Sequence, residues 1–132
     1  MQSSQSILDL VNNQTKTIFY FTDSSLTRNI PGFKDLNYIF DGLISQVISE
    51  STMDINKHSQ VFMTNSFNNQ LCLIHFNAKS IQSSDLDEQI AFLTSMRSQE
   101  NEILVLDATK LNWCEKLSKR YTQYKFYGHA LI

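Results

Sequence analysis

Cysteine and histidine are the residue types in this chain that are best suited to nucleophilic catalysis or to metal binding. The three histidines, His58, His75 and His129, lie far apart in sequence, and no two of them have the i, i+4 spacing of a helical metal site. The two cysteines, Cys72 and Cys114, do not form a C-x-x-C pair. The spacing therefore predicts no metal site. A thiol enzyme with Cys114 as nucleophile and His129 as base is one alternative, and a cysteine that packs on an apolar helix face is the simpler interpretation.

The run Glu102–Asp107 is apolar up to a final carboxylate, which resembles the strand-plus-acid half of an ATPase site. Such an acid matters only when a glycine-rich phosphate loop stands opposite it. The chain has no such motif, because Gly32, Gly42 and Gly128 are isolated and none precedes a Lys-Ser or Lys-Thr pair. We therefore interpret Asp107 as a residue that ends a strand. We predict a protein that is not an enzyme and needs no cofactor.

Charge is spread unevenly along the chain. Residues 1–109 carry six Lys and Arg against twelve Asp and Glu, whereas residues 110–132 carry five against one. The basic end mixes cations with aromatic residues, as single-strand nucleic-acid binders do. Because the whole protein is acidic, with a pI near 5.8, and five cations are few for phosphate binding, we do not expect a nucleic-acid partner. The basic face is then either a docking surface for an acidic partner or a solvated helix face.

The first half of the chain shows two clear periodic patterns. Lys16–Asp23 is rich in β-branched and aromatic residues, which predicts a strand. After Pro31-Gly32, apolar residues recur at spacings of three and four, which predicts one amphipathic helix. Its apolar stripe consists of Phe33, Leu36, Ile39, Phe40, Leu43, Ile44, Val47 and Ile48.

The second half alternates between strand and helix patterns. Ser66–Ile81 fits either a strand or a short helix, because periodicity cannot decide so short a run. The other predicted elements are a strand at Ser59–Thr64, a helix at Asp85–Arg97, a strand at Glu102–Asp107, a helix at Asn112–Tyr121 and a strand at Lys125–Ile132. This order predicts a single α/β domain with a largely parallel sheet and helices packed on it.

Length and composition predict one domain in the cytoplasm. A chain of 132 residues has the size of a single domain. Residues 1–15, rich in Ser, Gln and Asn, are predicted to be a flexible segment, and residues 16–132 the domain. No apolar run reaches the ~20 residues that span a bilayer, and the N-terminus lacks the basic start and apolar stretch of a secretory signal. We therefore expect a cytoplasmic protein with no membrane contact and with reduced cysteines.

The order of motifs resembles a known family. A helix at Asp85–Arg97 leads through a polar turn to the apolar strand Ile103–Leu106, and Lys110-Leu111-Asn112 then opens a basic helix before a final strand. Upstream, Lys57–Thr64 has a polar and basic start, a Gln, apolar residues and then Thr. Asn77–Ile81 places a lysine ahead of the next element. In these features the chain is similar to SulA, the family of SOS cell-division inhibitors, whose domain is similar to RecA but lacks the nucleotide-binding loop.

The resemblance implies a RecA-like domain without a phosphate loop. It also implies an inhibitor that binds the tubulin-like division protein FtsZ and blocks its polymerisation after DNA damage. Three partner-binding residues carry over: Met63 as an apolar contact, and His58 and Lys79 as polar or charged contacts. The alternative for Met63 is a plain core position. The family's tryptophan between the second strand and the lysine is missing here, and Leu71 or Leu73 could take its place.

A second protein-binding function also fits the size and the mixed α/β pattern. The chain is similar in both respects to small accessory subunits of the DNA replication machinery, such as the clamp-loader psi protein. The two protein-binding hypotheses differ only in their partner. The thiol-enzyme hypothesis differs from both, since it predicts turnover and loss of activity on alkylation.

Overall fold

The chain folds as an α/β domain whose sheet is built around its first strand. The computed structural model describes residues 17–24, 33–51, 58–64, 69–96, 103–111, 113–122 and 124–127. In this part of the chain the strands are β1 (Thr17–Asp23), β2 (His58–Thr64), β3 (Gln70–Phe76), β4 (Ile103–Ala108) and β5 (Lys125–Tyr127). The helices are α1 (Phe33–Ile39), α2 (Leu43–Ser51), α3 (Ser83–Met96) and α4 (Cys114–Arg120). The predicted α/β class and largely parallel sheet are confirmed.

The strands lie in the order β2-β3-β1-β4-β5. β1 runs parallel to both β3 and β4, and β4 runs parallel to β5. If the four parallel strands β1, β3, β4 and β5 are renumbered 1 to 4, their order is 2-1-3-4, which matches the first four strands of the flavodoxin-like order 2-1-3-4-5. β2 is antiparallel to β3, because only residues 65–69 connect the two strands and a parallel pair needs a longer crossover. A RecA-like domain in the narrower sense stays a prediction.

Each face of the sheet carries its own core, because successive side chains of a strand point to opposite faces. On one face Ile18 and Tyr20 of β1 pack with the buried residues of α1 and α2. On the other face Phe19 and Phe21 pack with the buried residues of α3 and α4. All of β1, β4 and most of β3 are buried, as expected for strands covered by helices on both sides. The ambiguous segment at residues 66–81 is thereby resolved: it contains strand β3, which β1 and β2 hold between them.

The single helix predicted over residues 33–48 is wrong, because the structure divides it into α1 and α2. Asp41 and Gly42 have left-handed φ values of 59° and 79°. The Gly42 N–H donates to the Asn37 carbonyl at 2.9 Å, and the Asp41 N–H donates to the Tyr38 carbonyl at 3.1 Å. These two bonds form a Schellman motif that ends α1. The Asn37 side chain then accepts a bond from the Ser45 N–H at 3.0 Å and so satisfies one backbone N–H in the first turn of α2.

The break changes which residues of the apolar stripe are buried. Leu36, Phe40, Ile44 and Ile48 remain on one face and are buried in the core. Leu43, which was predicted to lie in the middle of the stripe, is 38% exposed. It is the first residue of α2 and turns outward because the chain changes direction just before it.

Some predictions concern residues outside the described part of the chain. These are the flexible segment 1–15 and the last residues of the strand predicted at 125–132. Among the helices that the structure describes, none is long and apolar enough to cross a bilayer.

Candidate functional site

The structure brings two of the three predicted contact residues to one end of the sheet and places the third elsewhere. His58 begins β2 and pairs with Phe76, the last residue of β3. Lys79 is exposed in the turn that follows β3. Met63 lies five residues after His58, about 17 Å along the strand. Its side chain is 8% exposed and belongs to the core on the face of α1 and α2. The partner-binding roles of His58, Met63 and Lys79 stay predictions.

A chain of side-chain hydrogen bonds joins β2 to α3. Gln60 donates through Nε2 to Gln89 Oε1 at 3.3 Å. The Gln89 amide Nε2 lies 3.2 Å from His58 Nε2, and because an amide nitrogen can only donate, this ring nitrogen is the acceptor. The His58 ring also packs at 5.4 Å from the Phe76 ring. These contacts fix the side of β2 that faces α3.

Beyond this hydrogen-bonded chain lie two half-exposed phenylalanines. Phe62 is 48% exposed and Phe92 is 47% exposed. Phe62 lies two residues after Gln60 on the same face of β2, and Phe92 lies three residues after Gln89 on α3. Since β2 and α3 both run opposite to β3, the two rings lie at a similar level, about 5–7 Å beyond the glutamine pair. We call the surface formed by His58, Gln60, Phe62, Gln89 and Phe92 the β2–α3 flank.

A cavity of about 250 Å³ continues this flank at the end of β2. Phe62 forms part of its wall, and Thr64, Gln70 and Cys72 also line it. Among the described residues, no donor reaches the buried Oε1 atom of Gln70. The full lining is Thr17, Phe62, Met63, Thr64, Gln70, Leu71 and Cys72, and it contains no charged residue.

The end of the sheet away from the cavity, which is also the end of His58, holds a buried polar cluster. In doubly wound sheets ligands bind where the connections of two neighbouring strands leave in opposite directions, which here is the carboxyl end of β1 and β4. Asp23 and Asp107, both essentially unexposed, occupy this place. Asp23 accepts a bond from the Lys110 N–H. Asp107 accepts bonds from the Thr109 N–H and hydroxyl and from the Trp113 N–H. The carboxylates therefore hold the loop between β4 and α4.

Replacing Asp107 with Asn tests this structural role. The carboxylate now accepts hydrogen bonds through both oxygens, and the amide would turn a donating NH₂ group towards one of those donors. The substitution would also remove the negative charge that strengthens these bonds. We expect the free energy of unfolding to fall by about 1–3 kcal/mol, measured by urea denaturation, while partner binding stays unchanged. A normal stability for Asp107→Asn would mean that the loop does not depend on this carboxylate.

His75 lies next to this cluster and gives the fold a pH dependence. It is unexposed, and its Nδ1 lies 2.8 Å from the Thr22 hydroxyl. Burial lowers the pKa of the His75 imidazole from its ordinary value, and the Asp23 carboxylate opposes this effect in part. The unfolded chain takes up the proton near pH 6.5, but the folded chain does so only at lower pH. His75 therefore makes the protein lose stability as the pH falls below about 6.5.

We expect the urea midpoint to decrease between pH 7 and pH 5. A His75→Gln variant should show a smaller decrease over the same range, whatever its stability at pH 7, because glutamine does not titrate. An equal decrease in the two proteins would contradict the assignment to His75.

The basic helix is partly neutralised by its neighbours. Arg120 of α4 forms an ion pair with Asp87 of α3, and the Tyr121 hydroxyl donates to the same carboxylate at 3.4 Å. The Lys116 ammonium lies 6.0 Å from the centre of the Trp113 ring, within the range of a cation–π contact. Part of the positive charge near the C-terminus therefore serves the contact between α3 and α4. The side chain of Cys114 and all of His129 lie outside the described residues, so the thiol-enzyme hypothesis stays a prediction.

Comparison of the chain with protein-family models, with curated proteins and with solved structures gave no match.

Proposed function

We propose that this chain is a non-catalytic protein-binding domain and that the β2–α3 flank is its contact surface. The observation that carries the proposal is the pair of half-exposed phenylalanines, Phe62 and Phe92, on neighbouring elements. Aromatic residues dominate the energetics of protein interfaces. Scattered single apolar residues on a surface need no explanation, but two aromatic residues beside β2, which has no strand on its outer side among the described residues, indicate an interaction site.

The hydrogen bonds within the flank also favour a protein partner. His58, Gln60 and Gln89 are held by one another and need little further ordering on binding, which lowers the entropic cost of association. An interface of ordinary size, about 800 Å² per partner, would extend well beyond these five residues. It would reach the exposed Lys79 at the same end of the sheet as His58.

For the identity of the partner we propose FtsZ, on the resemblance of the sequence to SulA. The chain would bind FtsZ subunits and block their polymerisation after DNA damage. This activity requires no catalysis, because a bound inhibitor removes subunits in proportion to its own amount.

Purified protein should therefore reduce FtsZ polymerisation in a saturable and stoichiometric manner, and its overexpression should give filamentous cells. Lys79→Glu should weaken the inhibition, because reversing a charge at a complementary interface replaces attraction with repulsion. Lys116→Glu on α4 is the matched control and should have little effect. Light scattering of polymerising FtsZ at increasing inhibitor ratios measures both variants.

Two outcomes would count against FtsZ. If Lys116→Glu were damaging and Lys79→Glu silent, the docking surface would be the basic helix. Filamentous growth without any contact to FtsZ would remove the partner assignment and favour an accessory role in replication.

A further inference from the structure

The outer edge of β2 is the starting point for a more specific inference. Within the described residues the sheet ends at β2, whose other neighbour is β3. The pairing with β3 is one-to-one from His58 opposite Phe76 to Thr64 opposite Gln70, without a bulge. Alternate backbone N–H and C=O groups of this seven-residue strand therefore point away from the sheet, in a regular row.

The two edges of the sheet differ in how they are protected. Natural edge strands are usually kept short or carry a lysine, a proline or a bulge, which prevents unwanted pairing. Within the described residues β5 covers only Lys125–Tyr127, and it begins with the exposed Lys125. β2 has none of these features, since His58–Thr64 reads HSQVFMT. The edge at β2 is thus the one suited to accept a further strand.

Charge defines what kind of segment can bind there. β2 contains no Asp, Glu, Lys or Arg. The residues of α3 that belong to the β2–α3 flank, Gln89 and Phe92, are also uncharged, and so is the lining of the adjoining cavity. A charged segment buried against these residues would meet no counter-charge among them and would carry a large desolvation cost. The complementary segment is therefore uncharged where it meets β2.

The cavity next to Phe62 suits one side chain of such a segment. Its volume of about 250 Å³ exceeds the roughly 150 Å³ that suffices for a benzene molecule. In strand addition the main chain provides affinity, and pockets for alternate side chains provide specificity. Gln70 is one of the residues that line this cavity, and its buried Oε1 lacks a donor among the described residues.

We propose that the edge of β2 binds an extended, uncharged segment of the partner protein as an additional strand, with one apolar side chain of that segment in the cavity beside Phe62. This rests on the proposed function, because it specifies how the β2–α3 flank engages its partner.

The test is a selection from a phage-displayed library of random dodecapeptides on the full-length chain. Enriched peptides should contain a stretch of at least about five residues without charge and with apolar residues at every second position. A synthetic copy of the best peptide is then methylated at one backbone nitrogen at a time. Only alternate N–H groups of a paired strand donate to its neighbour, so methylation should weaken binding at least tenfold at every second position and about twofold or less between them.

Matched variants place the peptide on the protein. Phe62→Asp should weaken peptide binding at least tenfold, and Tyr38→Asp, at an exposed aromatic residue of α1, should leave it unchanged. A library without binders, enrichment of acidic peptides, or methylation effects without alternation would each overturn the proposal. A dimer in light scattering that Phe62→Asp dissociates would also overturn it, since a second copy would then occupy the edge.

These failures are distinct from failure of the proposed function. If Phe92→Asp abolishes binding of the partner protein but the methylation scan shows no alternation, the flank is the contact surface and strand addition is wrong. If Phe92→Asp leaves partner binding intact, the flank itself is wrong.

Discussion

Replacing Ile44 with Ala is expected to lower the free energy of unfolding by about 2–5 kcal/mol. Ile44 is fully buried among Leu36, Phe40 and Ile48, and its truncation leaves a cavity that these neighbours fill only in part. Since small domains are stabilised by only about 5–15 kcal/mol, this single change would remove a large part of the total. Urea denaturation at constant pH measures it.

Leu43→Ala is the matched control, one residue away on the same helix. Leu43 is 38% exposed, and Ala is the better helix former. We expect a change of less than about 1 kcal/mol. If Leu43→Ala proved as damaging as Ile44→Ala, the break at Asp41-Gly42 would not turn α2 as described.

The other large effect concerns partner binding. Phe62→Asp and Phe92→Asp should each weaken the complex by about 2–5 kcal/mol, which is a loss of roughly 30-fold or more. Each change removes an aromatic contact and puts an unpaired carboxylate into a desolvated interface. Both residues are about half exposed, so each change also costs some folding stability, which urea denaturation measures separately. Isothermal titration calorimetry with the purified partner measures the loss.

Tyr38→Asp provides the control for this pair. Tyr38 is 79% exposed and lies on α1, which packs on the opposite face of the sheet. It makes the same type of change away from the flank and should leave affinity within about twofold. Equal losses for Tyr38→Asp and Phe92→Asp would show that binding depends on general surface charge.

Much of the fold follows from periodicity. The apolar runs at β1 and β4 are buried on both faces. The helix predicted at Asp85–Arg97 is present as α3, which buries Leu86, Ile90 and Leu93. The sequence does contain an indication of the break between α1 and α2, since Asp41-Gly42 is a common turn dipeptide. The apolar stripe continues on both sides of this pair, however, and therefore predicts a single helix.

Strand β3 shows where local pattern is insufficient. Leu71 and Ile74 have a helical spacing, whereas Leu71 and Leu73 have a strand spacing. The choice depends on pairing with β1 and β2, and such non-local contacts leave no periodic trace in a short run.

The candidate surface depends on the order of the strands, which no local pattern contains. Met63, predicted as an apolar contact with a plain core position as the alternative, packs in the core on the face of α1 and α2, and the alternation of β2 places the half-exposed Phe62 on the face of α3. The role of Met63 as a partner contact stays a prediction. Neighbouring residues of a strand point to opposite faces of the sheet, so a shift of one residue exchanges a core position for a surface position. The exposure of Phe92 can be predicted from the sequence, because this residue lies outside the buried stripe of α3, Leu86, Ile90 and Leu93.

Site-specific photo-crosslinking in the native host tests the central claim most directly. A photoreactive phenylalanine analogue is placed at position 92 in one variant and at position 38 in another, and the adducts are read by gel mass and mass spectrometry. Binding through the β2–α3 flank predicts one discrete protein adduct from position 92, lost when Phe62→Asp is added, and none from position 38. The absence of an adduct at position 92, or the same adduct from both positions, would contradict it.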